Sequence, residues 1–406
     1  MDTQAFWTWW QQLKSYGSNS DGSLSRLAFT DSDVASRRWL QQLWTQYGAR
    51  TTIDPVGNVI GVYGHAPYLL ISSHTDSVPH GGHYDGIIGV LGATWILQQW
   101  QPQWGGLMVI DWSSEESSRF GISTLGSRLA CGQPTVDWNR RDNEGVTLGD
   151  AVQNAFGGPS KSWQLPIDKI SASLELHIEQ GGLLADADRP LAVVTAIAAP
   201  QRWALTIRGE ANHSGSTLMA HRHDALSAAA RLVEAIEEES WRLEPAGLHA
   251  TVTDLHVAPG SANVIPEEAR LLLDIRAQSS RVLAELTNKF PLWASQLATS
   301  RGVQLEADPI SQEQPGQLDT ELQAQIAQLI ELEGLPVHAV ASWPSHDSLP
   351  LSRKVPAGMI FVRNLSRVSH QAGELVASTD IDRGLEVLYR SAQWISSGFH
   401  GNTGTR

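Results

Sequence analysis

Four short apolar runs in this sequence each break off into a polar segment bearing histidine or carboxylate. Tyr68–Ser73 (YLLISS) leads into His74-Thr75-Asp76, and Leu107–Trp112 (LMVIDW) is followed by Glu115-Glu116. Ala172–Ile178 (ASLELHI) carries His177 near its end, and Gly358–Val362 (GMIFV) precedes His370. Runs this short, bounded by Gly-rich or polar loops, read as buried strands. Helix-like segments alternate with them, from Gly86 to Trp100 and from Thr379 to Ser396. The alternation predicts an α/β layer with a mostly parallel central sheet. In such sheets ligands gather beyond the carboxyl ends of the strands, which is where these side chains fall.

The middle of the chain has another rhythm. Trp203–Gly209 alternates like a half-exposed strand, and Asp224–Glu239 is an amphipathic helix. Strands follow near Leu248–Ala258 and Ala269–Ala277, then a helix capped by Ser279 or Ser280, then a strand at Val303–Ala307. That order, β-α-β-β-α-β, is the ferredoxin-like pattern. It predicts an inserted domain at 202–312 between two parts of one catalytic domain, 1–201 and 313–406.

Composition narrows the function classes. The chain has 29 Lys+Arg against 43 Asp+Glu, a net charge of −14, which repels phosphate backbones and argues against nucleic-acid binding. The most apolar stretch, Gly86–Leu97, has 12 residues, and a spanning helix needs about 20, so no membrane segment is expected. Cys131 is the single cysteine; it excludes an internal disulfide and points to a reducing, cytoplasmic setting.

Taken singly, the polar residues say little. An HxD triplet is expected by chance among 14 histidines, and Glu237-Glu238-Glu239 reads as a solvated helix face. His80, His83, His221 and His223 read as loop bystanders, and Cys131 as buried packing. The set is the signal: four separate strand ends and the loops after them carry His74, Asp76, Asp85, Glu115, Glu116, His177 and His370, and among these are the ligand types that Zn²⁺ or Mn²⁺ prefers.

The sequence resembles the hydantoinase/carbamoylase branch of the M20 metallopeptidase-like amidohydrolases. This branch includes N-carbamoyl-L-amino acid hydrolases, allantoate amidohydrolases and β-ureidopropionases. The resemblance rests on DPVGN at 54–58, HTDSVPHGGHYDGIIGVLGA at 74–93, EESSRFG at 115–121 and LELHIEQGG at 174–182. GEANHSGSTLMAHRHDAL at 209–226, ANVIP at 262–266, DIR at 274–276, SHD at 345–347 and SHQAGE at 369–374 complete it.

The resemblance implies a dinuclear-metal, aminopeptidase-like catalytic domain, with the inserted domain serving as dimerisation and lid domain. His74, Asp85, Glu116, His177 and His370 would hold two divalent ions per subunit, Zn²⁺ first, with Mn²⁺, Co²⁺ or Ni²⁺ as alternatives. Asp85 would bridge them, Asp76 would accept the second ring N–H of His74, and Glu115 would be the general base. Gln180, His213, Asn263 and Arg276 would contact a carboxylate-bearing small-molecule substrate. His213 would reach across a homodimer into the partner's site.

The implied reaction is cleavage of a linear amide or ureido C–N bond in an N-carbamoyl-L-amino acid or a related ureido acid such as allantoate or β-ureidopropionate. An N-acyl or N-formyl amide hydrolase with the same machinery is the alternative. A peptidase would carry a carboxylate where His177 stands, and a non-catalytic binding protein would have lost a ligand or the base. Leu218, Ala372 and Ser345 depart from the family's usual Pro, Pro and Gly, so loops near the substrate are expected to differ.

Overall fold

The computed structural model describes residues 2–101, 105–133, 136–158 and 163–398. The chain divides into two compact units, 1–195 with 317–406, and 196–316.

The larger unit begins with α1 (Gln4–Lys14), α2 (Asp31–Gln46), β1 (Arg50–Ile53), β2 (Val59–Tyr63), β3 (Tyr68–His74) and α3 (Ile87–Gln99). It continues with β4 (Gly106–Trp112), α4 (Leu125–Ala130), α5 (Leu148–Phe156), β5 (Ile170–Ile178), α6 (Leu183–Asp186) and β6 (Leu191–Ile197). The smaller unit contains β7 (Ala199–Arg208), α7 (Ala225–Leu243), β8 (Leu248–Ala258), β9 (Glu268–Ala277), α8 (Ser280–Arg301) and β10 (Gln304–Gln312). After β11 (Gly316–Gln317), the larger unit closes with α9 (Thr320–Leu332), β12 (Ala339–Ser342), α10 (Ser348–Ser352), β13 (Ala357–Val362) and α11 (Ser378–Ser396).

Its sheet runs β1-β2-β4-β3-β5-β13-β6-β11, with β12 beside β6. The fold is α/β, but the sheet is mixed rather than mostly parallel. Strands β4, β3, β5 and β13 are parallel neighbours, whereas β1/β2, β2/β4 and β13/β6 pair antiparallel. Connection length explains the flank at β1 and β2. Residues 54–58 join them in a tight turn, where Asp54 Oδ1 accepts the N–H groups of Val56 and Asn58. A parallel crossover needs a dozen residues or more.

The parallel centre is apolar on both faces, as helix-covered strands must be. Helix α3 is buried along nearly all its length and lies almost against the backbone of the sheet. A Cβ on Gly89 would come within 2.4 Å of the Leu176 carbonyl oxygen, so only glycine permits that approach. Strands β3, β4 and β5 thus end side by side, with His74 in register with Trp112.

A buried cation ties helix α2 to these strand ends. Arg37 is fully buried; Nε donates to Asp33 (2.8 Å), Nη1 to Asp111 Oδ2 (2.9 Å) and Nη2 to the Trp112 carbonyl (3.0 Å). Its Nη2 also lies 3.5 Å from Asp76 Oδ1.

In the smaller unit the sheet order is β10-β7-β9-β8, with each of the three pairs antiparallel. Helices α7 and α8 pack on it through Leu232, Ile236, Leu286 and Phe290 against Leu205, Ile207, Leu271 and Leu273. Asp224 caps α7 and Ser279 caps α8.

Arg37→Met keeps the volume and removes the charge, stranding three buried carboxylates. The unfolding free energy should fall by about 3–5 kcal/mol, the cost of breaking a buried ion network. A urea midpoint unchanged from wild type would show that the network contributes nothing.

Candidate metal centre

The larger unit brings five of the expected ligands together. His74 ends β3, and Nδ1 lies 3.0 Å from the Asp76 carbonyl oxygen. A carbonyl only accepts, so the proton sits on Nδ1 and Nε2 faces Asp85 Oδ1 at 3.6 Å and Glu115 Oε2 at 3.7 Å. His177, in β5, is set the same way: Nδ1 donates to the Ile178 carbonyl (2.9 Å), and Nε2 lies 3.1 Å from Asp85 Oδ1. Asp85 belongs to the turn before α3, which Gly86 enters at φ +65°. A Cβ at Gly86 would sit 2.4 Å from His74 Nε2, so the turn can pass beneath the imidazole only with glycine there.

The other oxygen of Asp85 faces the other way. Oδ2 lies 3.3 Å from His370 Nε2, and that nitrogen lies 3.1 Å from Glu116 Oε1. His370 has φ +62°, a left-handed conformation that a non-glycine residue adopts only under constraint. Two groups of ligand atoms therefore share Asp85: His74, Asp85 and His177, and Asp85, Glu116 and His370, with ligand atoms in each within 4.8 Å of one another. A tetrahedral ion with bonds of about 2.0–2.2 Å would place its ligand atoms about 3.4 Å apart, so modest closure suffices. Asp85 Oδ1 is buried and makes no hydrogen bond despite the nearby imidazoles, which fits an oxygen reserved for a cation.

The electrostatics favour a cation as well. Burial alone would hold His74 neutral, but Glu115, Asp85 and Asp76 outweigh it and raise the imidazole well above its usual range. Asp85 stays well below the usual carboxylate range: burial opposes ionisation, and His177, His370 and His74 overcome it. His370 is pushed up to about 11 by hydrogen bonds to Asp85 and Glu116. Protons on imidazole supply the positive charge that the carboxylates demand. Glu115 is raised well above its usual range by burial, aided by Glu116, Asp347 and Asp76 and only partly offset by His74.

Asp76 is buried here, but its carboxylate does not take the ring proton of His74, which goes to its backbone carbonyl. The side chain instead accepts the N–H groups of Glu115 (3.2 Å) and Glu116 (3.1 Å), fixing the turn that presents both glutamates. An HxD triplet places both side chains on one face of a continuing strand; this strand stops at His74, so the expected contact is lost. Gln180 reaches the ligands themselves, with Nε2 2.6 Å from Asp85 Oδ2.

Sequence reasoning passed over Arg37, Ser369 and Glu374, which hold this centre from behind. Nothing local marks Arg37, since an arginine on an amphipathic helix reads as surface; Glu374 lay in view within SHQAGE. A third group, Glu175, His177 and His346, is also close, but Glu175 is already bonded to Ser73 and Ser348.

The remaining expected residues lie in the smaller unit, at two separate places. His213 bridges to Val264, and Ser214 N–H donates to the Asn263 carbonyl (3.0 Å), so His213 and Asn263 are neighbours on exposed loops. His213 Nδ1 accepts from Gly215 and Ser216 N–H (3.0 and 3.1 Å), which leaves the ring proton on Nε2. Arg276 stands near the far end of β9, its Nε on Asp274 Oδ2 at 3.0 Å. Residues 268 to 276 of an extended strand span roughly 26 Å, and Asn263 lies beyond the near end. One chain does not bring Arg276 to His213 and Asn263.

Binding a cation at this centre must displace the His370 proton, because only the neutral imidazole is a ligand. With that imidazole at about 11, affinity for a divalent ion should climb with pH throughout the range below it. The rise should be about tenfold per unit for each proton released. Calorimetric titration in two buffers of different ionisation enthalpy would count the protons; a pH-independent affinity between pH 6 and 8 would contradict this electrostatic reading.

With this geometry in view, the comparisons with known proteins are direct. The chain is 32% identical to an N-carbamoyl-L-amino acid amidohydrolase of Geobacillus stearothermophilus, over 97% of this chain and 99% of that one. It is 31% identical to an allantoate amidohydrolase of Bacillus subtilis, over 93% of each. Among solved structures, AtUAH in complex with glyoxylate superposes with a TM-score of 0.80 at 31% identity, covering 98% of both chains. The model of peptidase family M20/M25/M40 matches residues 70–394, and the chain belongs to that family.

Proposed function

We propose that this chain is a metal-dependent amidohydrolase cleaving the linear C–N bond of an N-carbamoyl-L-amino acid or a related ureido acid such as allantoate or β-ureidopropionate. The observation that carries the reading is Asp85 shared between two ligand groups with the buried Glu115 carboxylate beside them. The names of the relatives, hydrolases of carbamoyl and ureido compounds, supply the substrate class. Hydrolysis of an N-acyl or N-formyl amine would use the same residues, differing only around the leaving group.

His74 and His177 with Asp85 Oδ1 would hold one divalent ion, and Glu116 and His370 with Asp85 Oδ2 a second, Zn²⁺ or else Mn²⁺, Co²⁺ or Ni²⁺. Bound there, the ions supply Lewis acidity at the scissile carbonyl and acidify a water. Glu115 takes the proton of the attacking water and passes it to the departing nitrogen. Its burial raises its proton affinity toward that of the groups it must serve. A carbamate released from a carbamoyl substrate decays to ammonia and carbon dioxide. The single buried Cys131 suits a reducing, cytoplasmic setting, and no helix among the described residues is long and apolar enough to cross a membrane.

The ferredoxin-like smaller unit would serve as lid and dimerisation domain. Arg276 offers a guanidinium held by Asp274 to the substrate carboxylate, with Gln180 as a further contact. His213 offers Nε2–H, and Asn263 an amide, to the oxygen that gains charge in the transition state. Arg276 and the His213–Asn263 pair lie at opposite ends of one strand, so a single substrate meets both only if two chains share it. A homodimer with His213 supplied in trans satisfies this reciprocally.

Glu115→Gln should lower kcat by about 10²- to 10⁴-fold while metal content, by elemental analysis, stays native. Near-native turnover with metals in place would remove Glu115 as the base. For the shared site, His213→Ala and Glu115→Gln chains, each inactive, should be co-refolded. Random mixing makes half the dimers hybrid, each with one intact site, so roughly a quarter of native activity should return. No recovery would place His213 within its own chain's site, and a nearly silent His213→Ala would make it only a brace for the turn at Ser214-Gly215.

A further inference from the structure

Asp85 and His370 both lie in loops, and neither loop belongs to a helix or strand that would fix it. One side chain joins the two loops. Glu374 Oε2 accepts the backbone N–H groups of Tyr84 (2.8 Å) and Asp85 (3.2 Å), while Oε1 lies 3.0 Å from the Ser369 hydroxyl. That same hydroxyl lies 3.0 Å from Asp85 Oδ2, so its single proton is shared between two carboxylates. Glu374 is buried, and a Cβ on Gly82 would sit 2.3 Å from its Oε2, so the turn is shaped to admit the carboxylate. The opposite side of the turn is pinned by helix α1: Trp10 Nε1 donates to the His83 carbonyl (2.9 Å), and its ring stacks on Tyr84 at 5.3 Å. Held on both sides, the turn can move only if one clamp breaks.

We propose that Glu374, through Ser369 and the Tyr84 and Asp85 amides, is a positioning residue that fixes Asp85 Oδ2 against His370 and so forms the second of the two ion positions. It does not touch the reacting atoms. The first position, built on His74, His177 and Asp85 Oδ1, depends on strand ends and on the Nδ1 bonds of its histidines, so it should tolerate loss of the clasp. The inference rests on the two-ion reading above.

The test is to titrate the chelated protein with Zn²⁺ against a chromophoric chelator, for wild type and three variants. Wild type should bind two ions per chain; fewer would overturn the two-ion reading itself rather than the role of Glu374. Glu374→Ala should weaken one ion by about 10- to 100-fold, the usual effect of removing a partner behind a ligand, and leave the other within a few-fold. Ser369→Ala keeps the backbone amides satisfied, so it should weaken the same ion without lowering the melting temperature of the ion-free protein. Ser366→Ala perturbs the same loop, where Ser366 binds Asn364 and Leu375, without touching Asp85, and should leave both affinities native. If Glu374→Ala fails to fold, Ser369→Ala decides. Equal weakening of both ions, no weakening of either, or an effect of Ser366→Ala as large as that of Ser369→Ala would overturn the proposal.

Discussion

The centre depends on one carboxylate facing two ways. Asp85 gives Oδ1 to His74 and His177 and Oδ2 to His370, Gln180 and Ser369. A carboxylate can do this only if its backbone and its plane are both held, because a backbone shift or a partial turn about χ2 would draw each oxygen away from its partners. The holding is distributed: Gly86 turns the chain beneath His74, Trp10 grips the preceding residues, and Glu374 binds the amides. Each of these features makes sense once Asp85 is fixed, and none does without it.

Behind this lies a layer of buried charge that converts strand ends into a site. Arg37 collects Asp33 and Asp111 at close range and lies beside Asp76, and Asp76 in turn receives the amides that present Glu115 and Glu116. Buried ion pairs seldom add much stability over an apolar core of the same shape. Here the network fixes direction: it sets where two glutamates enter a cleft of histidines. The smaller unit shows the same separation of duties. The antiparallel sheet keeps Arg276 and the His213–Asn263 pair a strand length apart, and the proposed homodimer would bring the two sets of contacts to one substrate.

Much of this was legible in the sequence. The four strands that end in ligands stand out because a buried strand is a short apolar run, and the residues after it are where a sheet binds its ligands. The expected ligands do meet, since His74, His177 and His370 follow or end parallel neighbours in the sheet. The antiparallel flanks were not legible: no strand is expected from the sequence at Arg50–Ile53, Val59–Tyr63 or Leu191–Ile197, and a short apolar run carries no mark of its direction. Arg37 was invisible because, beyond its helix neighbour Asp33, its role comes from Asp76 and Asp111, 39 and 74 residues along the chain. Glu374 acts through a hydrogen bond spanning 290 residues, which no local pattern encodes. The separation of Arg276 from Asn263 could have been found, because ten residues of extended strand have a known length.

Anomalous diffraction from crystals grown with Zn²⁺, measured at the zinc edge, tests the central claim most directly. Two peaks are predicted, each about 2.0–2.2 Å from a different oxygen of Asp85. One should be flanked by His74 and His177, the other by Glu116 and His370. A single peak, or a pair of peaks in which Asp85 touches only one, would contradict the shared carboxylate on which the account of this site is built.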